Sequence, residues 1–146
     1  MRVVLDTNII FQALKSNSGA SFYILQLVRN RKIRLPISIP VFNEYEDVLN
    51  RPENLKQFGL SKKDIDEFLM FIAYIGLPFH IYYNFRPNLK DENDNIFIEL
   101  GLASNCDYIV TKNTKDFSTN NQLKFKDLKI ITPAEFAKKW REENEI

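Results

Sequence analysis

The chain is short of the two side chains that most often serve metal and redox chemistry. Cys106 is its only cysteine and His80 its only histidine in 146 residues. A single cysteine excludes an internal disulfide and a cysteine-based zinc site built from one chain. A single histidine leaves a Ser-His-Asp triad, or any histidine-bearing metal site, one candidate. That candidate sits in the run FHIYY, which reads as a strand with no acid beside it, so His80 is taken as structural or merely exposed. Catalysis must then rest on carboxylates, lysines, hydroxyls or metal ions. No apolar run approaches the roughly 20 residues of a membrane span. Asp6 interrupts the opening MRVVLDTNII before any cleavage signal, which does not suit a signal peptide. The expectation is a cytoplasmic protein with no membrane association. Repeats, low-complexity stretches and Pro/Gly/Ser-rich linkers are also missing, which predicts a single domain over residues 1–146.

What is present suits an ordinary folded globule. Hydrophobic residues make up 45% and charged residues 27%, so the chain has the means to bury a core. The net charge of +1 says little by itself. Placing four of the 19 acids in a metal site leaves 15 against 20 basic residues, a conditional excess of five positive charges that favours a polyanionic partner.

Hydrophobic patterning predicts alternating strands and helices. Val3-Val4-Leu5 reads as a buried strand, followed by a helix over Ile9–Leu14. Gly19 interrupts, and Ser21 is expected to cap a second helix reaching about Asn30. Leu35–Ile39 reads as a strand. Pro40 opens a helix carrying Phe42, Tyr45 and Leu49, limited by Pro52. Ser61 and Asp64 form a Ser-x-x-Asp cap before a stripe of Ile65, Phe68, Leu69, Ile72 and Ile75 that ends at Gly76. Phe79–Tyr83 reads as a strand, then a helix from about Asp94 to Ser104, then strands at Tyr108–Val110 and Lys129–Ile131. Thr132-Pro133-Ala134-Glu135 opens a last helix to about Glu143. Such alternation predicts an α/β fold with a mostly parallel sheet and right-handed crossovers.

In such sheets ligands bind beyond the carboxyl ends of the strands. Asp6 follows the first strand, with Thr7 and Asn8 after it. Glu44 lies one turn into the helix after the second. Asp91 and Asp94 precede or open the helix after the third, and Thr111, Asn113 and Asp116 follow YIV. A parallel sheet places all these positions on one edge. Carboxylates crowded there repel unless neutralised, and an oxygen-only ligand set favours Mg²⁺ or Mn²⁺. Lys112 and Lys115 flank the site and suit phosphate contact. The basic run Arg29, Arg31, Lys32, Arg34 reads as a solvated helix end.

RVVLDTNII, the Glu of VFNEYEDVL, the segment KDENDNIFIELGLASNCDYIVTKNTKDF and the closing IITPAEF together resemble the PIN domain. They are most similar to the branch of VapC-type toxins of toxin–antitoxin pairs. The resemblance covers nearly the whole chain in order. It implies a three-layer α/β/α sandwich with a mostly parallel central sheet. It also implies a metal-dependent endoribonuclease leaving a 5′-phosphate and a 3′-hydroxyl, a small antitoxin partner, and a homodimer. Asp6 matches the family's first acid, a direct metal ligand, and Asn8 a bracing residue. Glu44 matches the second acid and Asp94 the third. Asp91 matches an additional acid, and Thr111 a residue that orders the last loop. The departure is Asn113, which stands where an acid is common, leaving Asp116 to supply that charge. On this basis Asp6 and Asp94 are expected to bind the metal, with Glu44 and Asp116 completing or orienting the shell.

Each residue also has a plainer reading. Asp6-Thr7-Asn8 can be a strand-ending turn that caps the next helix. Glu44 can be surface, Asp94 an N-cap, and Asp116 a solvated loop residue. Two rival functions compete. A phosphatase with an aspartate nucleophile wants a second Asp where this chain has Asn8. A PIN-like module without activity, binding RNA or a protein, is the alternative that Asn113 brings forward.

Overall fold

The computed structural model describes residues 1–81, 92–118 and 128–145. In chain order the elements are β1 (Val3–Leu5), α1 (Thr7–Lys15), α2 (Ala20–Arg29), β2 (Pro36–Ile37), α3 (Ile39–Leu49), α4 (Pro52–Phe58), α5 (Lys62–Ile75), β3 (Leu77–Pro78), α6 (Glu92–Ser104), β4 (Tyr108–Val110), α7 (Thr114–Ser118), β5 (Ile130–Ile131) and α8 (Pro133–Asn144). Among the described residues no helix is long and apolar enough to cross a membrane.

All strand pairs are parallel. β1 pairs with β4 in the register Val3–Tyr108, Val4–Ile109, Leu5–Val110, and β4 with β5. β2 pairs with β3. A single bridge between Arg2 and Arg34 ties the two sheets, giving the order β3-β2-β1-β4-β5. Pro36 explains why that tie does not lengthen. It has no N–H to donate, so the rung after the bridge cannot close. Chain order runs outward from β1 through β2 and β3, then restarts on the other side with β4. The topological switch point is thus between β1 and β4. The architecture is the three-layer α/β/α type. α6 packs across β1, β2 and β4, while α2 packs against both α1 and α8.

Local chemistry accounts for the boundaries. Val3, Val4 and Leu5 are wholly buried, as expected for a strand covered on both faces. Ser61 and Thr132 open α5 and α8 with complete capping boxes, their partners being Asp64 and Glu135. Backbone N–H groups hold both carboxyls below their usual range. Ile65, Leu69, Ile72 and Ile75 form the buried stripe of α5, with Phe68 half-buried.

Four expectations need correction. α2 is capped by Gly19, whose φ of 97° only glycine takes easily, and not by Ser21, which lies buried inside the helix. The second strand stops at Ile37, because Ser38 turns to cap α3 through the Val41 N–H and Ile39 is already helical. Pro52 starts a further helix, α4, rather than only ending one. The third strand is Leu77–Pro78, not Phe79–Tyr83. Its partner β2 is two residues long, so pairing ends with the Phe79 N–H on the Ile37 carbonyl at 2.8 Å. Tyr82 and Tyr83 lie outside the described residues.

Gly76 joins α5 to β3 with no room to spare. A Cβ there would meet Ile37 Cδ1 at 2.7 Å and the Ile72 carbonyl oxygen at 2.8 Å. The first contact can yield, but the second is backbone. Gly76→Ala is expected to lower stability by about 1–3 kcal/mol, read as a reduced urea midpoint at unchanged m-value.

Candidate functional site

β1 ends by handing its backbone to α1 through Asp6. The Asp6 N–H donates to the Val110 carbonyl at 3.0 Å, the last rung between β1 and β4. Its side chain then turns to the first turn of α1. Oδ1 accepts the Thr7 N–H at 2.7 Å, so Asp6 is the N-cap of α1, and the plainer reading of this residue holds as far as it goes. Oδ2 does something a cap does not require. It accepts the Thr111 hydroxyl at 2.6 Å and the Asn8 amide at 3.2 Å. The carboxylate is only 7% exposed, and three donors surround it.

Thr111 follows β4 as Asp6 follows β1, so the switch point brings them together. Thr111 is fully buried. Its backbone N–H is committed to Ile131 at 3.0 Å and its Oγ1 accepts the Asn113 N–H at 3.1 Å. Asn8 closes the arrangement by accepting the Lys112 N–H at 3.3 Å. One turn further along α1, Gln12 accepts the Lys112 ammonium at 3.0 Å. Loop 111–113 is therefore strapped to α1, with Asp6 between them. The positive end of the α1 dipole faces the same carboxylate and favours its charge.

Behind Asp6 lies Tyr45 of α3, whose hydroxyl donates to the Leu5 carbonyl at 2.5 Å. Burial, and then the nearby Asp6 charge, push the phenol well above its usual range, so it stays a donor. Continuation of the β1–β2 ladder would have supplied that carbonyl from Ser38; Tyr45 satisfies it instead.

The remaining expected residues are placed as follows. Glu44 is half-buried on α3. Arg51, bonded to Asp47 at 2.9 Å, also feels the Glu44 charge. Asn113, Lys112 and Lys115 are exposed. Asp94 and Asp116 belong to α6 and α7, but their side chains, and all of Asp91, lie outside the described residues. Among the described residues no three His, Cys, Asp or Glu side chains form a group able to hold a metal ion.

Two residues escaped the sequence reading. Asn95 and Glu99 of α6 are only 4% and 8% exposed, and their spacing puts them on one helix face. The signal was a Glu inside IFIEL, a run apolar on every side, since a helix apolar all round is buried and carries its charge inside with it. The chemistry fits a hard cation: the described donors here are carboxylates, amides and hydroxyls. The Thr7 hydroxyl and the Asn95 amide oxygen are buried without hydrogen-bond partners among the described residues, as groups awaiting an ion or its water would be. Cys106 precedes β4, at the opposite end of the sheet. Burial pushes its thiol up to about 12, so it offers no thiolate.

This geometry meets its relatives at the level of family and fold. Residues 2–115 match the PIN domain family model. The chain belongs to the PIN domain family. It is 29% identical over 142 residues to an uncharacterised protein of Methanocaldococcus jannaschii, covering 93% of this chain and 89% of that one. A chain of the solved structure of VapBC2 from Rickettsia felis, bound to a DNA fragment from their promoter, has the same fold. The TM-score is 0.59 at 17% identity, over 90% of this chain and 98% of that one.

Thr111→Val keeps the shape and removes one donor from a buried carboxylate. The loss is expected to be about 1.5–3 kcal/mol in stability at neutral pH. Asp6→Asn combined with Thr111→Val should cost much less than the two single losses added, a coupling that a double-mutant denaturation cycle measures.

Proposed function

We propose that this chain is a Mg²⁺- or Mn²⁺-dependent endoribonuclease, folded as one domain, that hydrolyses RNA phosphodiester bonds and acts as the toxin of a toxin–antitoxin pair. The observation that carries the reading is the Asp6 carboxylate, buried at the switch point and oriented by Thr7, Asn8 and Thr111 from two strand ends. A cap alone needs one of those bonds. Membership of the PIN family supports the nuclease chemistry, and likeness to a chain of VapBC2 supports an antitoxin partner; the homodimer rests on the sequence resemblance alone.

In this reading Asp6 and Asp94 hold the metal. Glu44 and Asp116 complete or orient its surroundings, and Asp91 adds negative charge. When bound, the ion lowers the pKa of a water and polarises the scissile phosphate. The chain's own residues prepare that event. Thr111 and Asn8 fix the Asp6 carboxylate, so it is held in one orientation without reorganisation. Tyr45 holds the Leu5 carbonyl and thereby the strand end that carries Asp6. Lys112, steadied by Gln12, and Lys115 supply positive charge for the phosphates flanking the cut. Asn113 offers a neutral oxygen or orients a water, and the missing charge falls to Asp116.

Asp6→Asn is expected to abolish Mn²⁺-dependent cleavage of a 5′-labelled single-stranded RNA, and Thr111→Val to slow it by about 10- to 100-fold. Undiminished cleavage by Asp6→Asn would sink the reading. Calorimetric titration with Mn²⁺ that detects no stoichiometric binding by the wild-type chain would favour the inactive module instead, given a neutral residue at Asn113.

A further inference from the structure

The carboxyl edge of the sheet continues past Asp6 to the ends of β2 and β3, and there the surface opens into a cleft. Two adjoining hollows of about 260 and 240 Å³ share Ser38, Ile39, Phe79 and His80. Phe42 and Asn43 of α3 wall the first, and Glu99 of α6 lines the second. Ser38 follows β2 and Phe79 follows β3 as Asp6 follows β1. Neighbouring strands lie about 4.8 Å apart, so the cleft opens roughly 5–10 Å along the edge from Asp6.

We propose that this cleft receives one unstacked base of the single-stranded RNA whose phosphate lies at Asp6. The substrate class rests on the nuclease reading; the site itself rests on the cleft. Each hollow is smaller than the roughly 300–1,000 Å³ of sites for drug-sized ligands, which suits one flat ring system. The first hollow presents the rings of Phe42, Phe79 and His80, and bases of unpaired RNA stack on such faces. Arg2 lies over the Phe79 ring at 5.3 Å and holds it in place. Asn43 is exposed on the rim, so its amide is available to a base edge.

Charge sets the orientation. Glu99 repels a phosphate from the second hollow, and its negative charge favours a base that turns an exocyclic amine toward it, as cytosine and adenine can. The backbone is thereby directed toward Lys112 and Lys115, and the base toward the cleft. Uracil, which lacks that amine, is the poorest occupant.

The test is fluorescence anisotropy of labelled eight-nucleotide oligo(rA), oligo(rC) and oligo(rU) on the full chain, with Ca²⁺ in place of Mg²⁺ or Mn²⁺ so that the acids stay neutralised, and with the oligomers checked to be intact after the reading. Wild type should bind oligo(rA) and oligo(rC) more tightly than oligo(rU). Phe42→Ala should weaken the favoured oligomers by about 5- to 150-fold, one base stack, and flatten the preference. Asn43→Trp, an exposed change that fills the hollow without disturbing the core, should do the same and guards against a folding defect in Phe42→Ala. Unchanged affinity and preference in both variants overturns the proposal, as for a cleft that takes an apolar side chain of a protein partner. That result leaves the nuclease reading intact if Asp6→Asn still abolishes cleavage. Ineffective Asp6→Asn with Phe42-dependent base preference has the converse meaning: the base site stands and the nuclease reading falls.

Discussion

A carboxylate taken almost out of water at the end of a central strand must be met by donors, and Asp6 is met by three. An unpaired charge in that position would cost several kcal/mol. Each donor comes from a different place. Thr7 N–H belongs to the first turn of α1, the Asn8 amide to the next residue, and the Thr111 hydroxyl to the end of a strand more than a hundred residues away in sequence. Satisfying one buried charge therefore fixes three relations together: β1 to α1, β1 to β4, and the loop after β4 to α1. Losing the carboxylate would loosen all three, so stability and site geometry are coupled at this point.

The sheet around Asp6 is built unevenly, and the unevenness serves the same strand end. On the β4 side the ladder is complete to the Asp6 N–H. On the β2 side Pro36 stops it after a single bridge. A carbonyl left bare there would be a buried acceptor without a donor. Tyr45 reaches in from α3 and fills the gap, which also packs its ring near Phe97 of α6, at 6.4 Å between centroids. α3 carries Glu44 one residue earlier. The repair of the ladder thus brings the helix that bears the second expected acid against the strand that bears the first.

How much of this could be read from residues depended on the kind of signal. The β1 strand was legible because Val-Val-Leu ending in Asp-Thr-Asn combines a buried run with capping residues. α8 was legible because Thr-Pro-Ala-Glu fixes its own start through local hydrogen bonds. The position of Asp6 and Thr111 on one edge followed from strand alternation alone. What was not legible depended on partners distant in sequence or on backbone freedom. The Gly19 cap needs a positive φ, which sequence does not display beside an attractive Ser21. The third strand was set by the short length of β2, since Phe79, His80 and Ile81 have β propensity but, among the described residues, no strand to pair with beyond Ile37. Glu99 sat inside an apolar pattern, where attention goes to the apolar residues. Burial turns that reading around, because a carboxylate kept at 8% exposure needs a reason.

The edge of the sheet divides by charge and polarity. Around Asp6 the atoms are oxygens and amide hydrogens in a fixed network, suited to hold a hard ion and orient a water. Farther along, at the ends of β2 and β3, the lining turns to Ile39, Phe42, Phe79 and His80, with one carboxylate, Glu99, on the α6 side. A polymer of alternating phosphate and aromatic base has the same division at about the same spacing. Strand separation sets the distance between the two regions, and helices α3 and α6 set their walls. Phosphodiester chemistry of the kind proposed for Asp6 has little means of its own to distinguish one nucleotide from another, since phosphates are identical. In that reading discrimination falls to neighbouring surface that touches bases, and the apolar stretch of this edge is a described surface within a nucleotide's reach that brings aromatic side chains together.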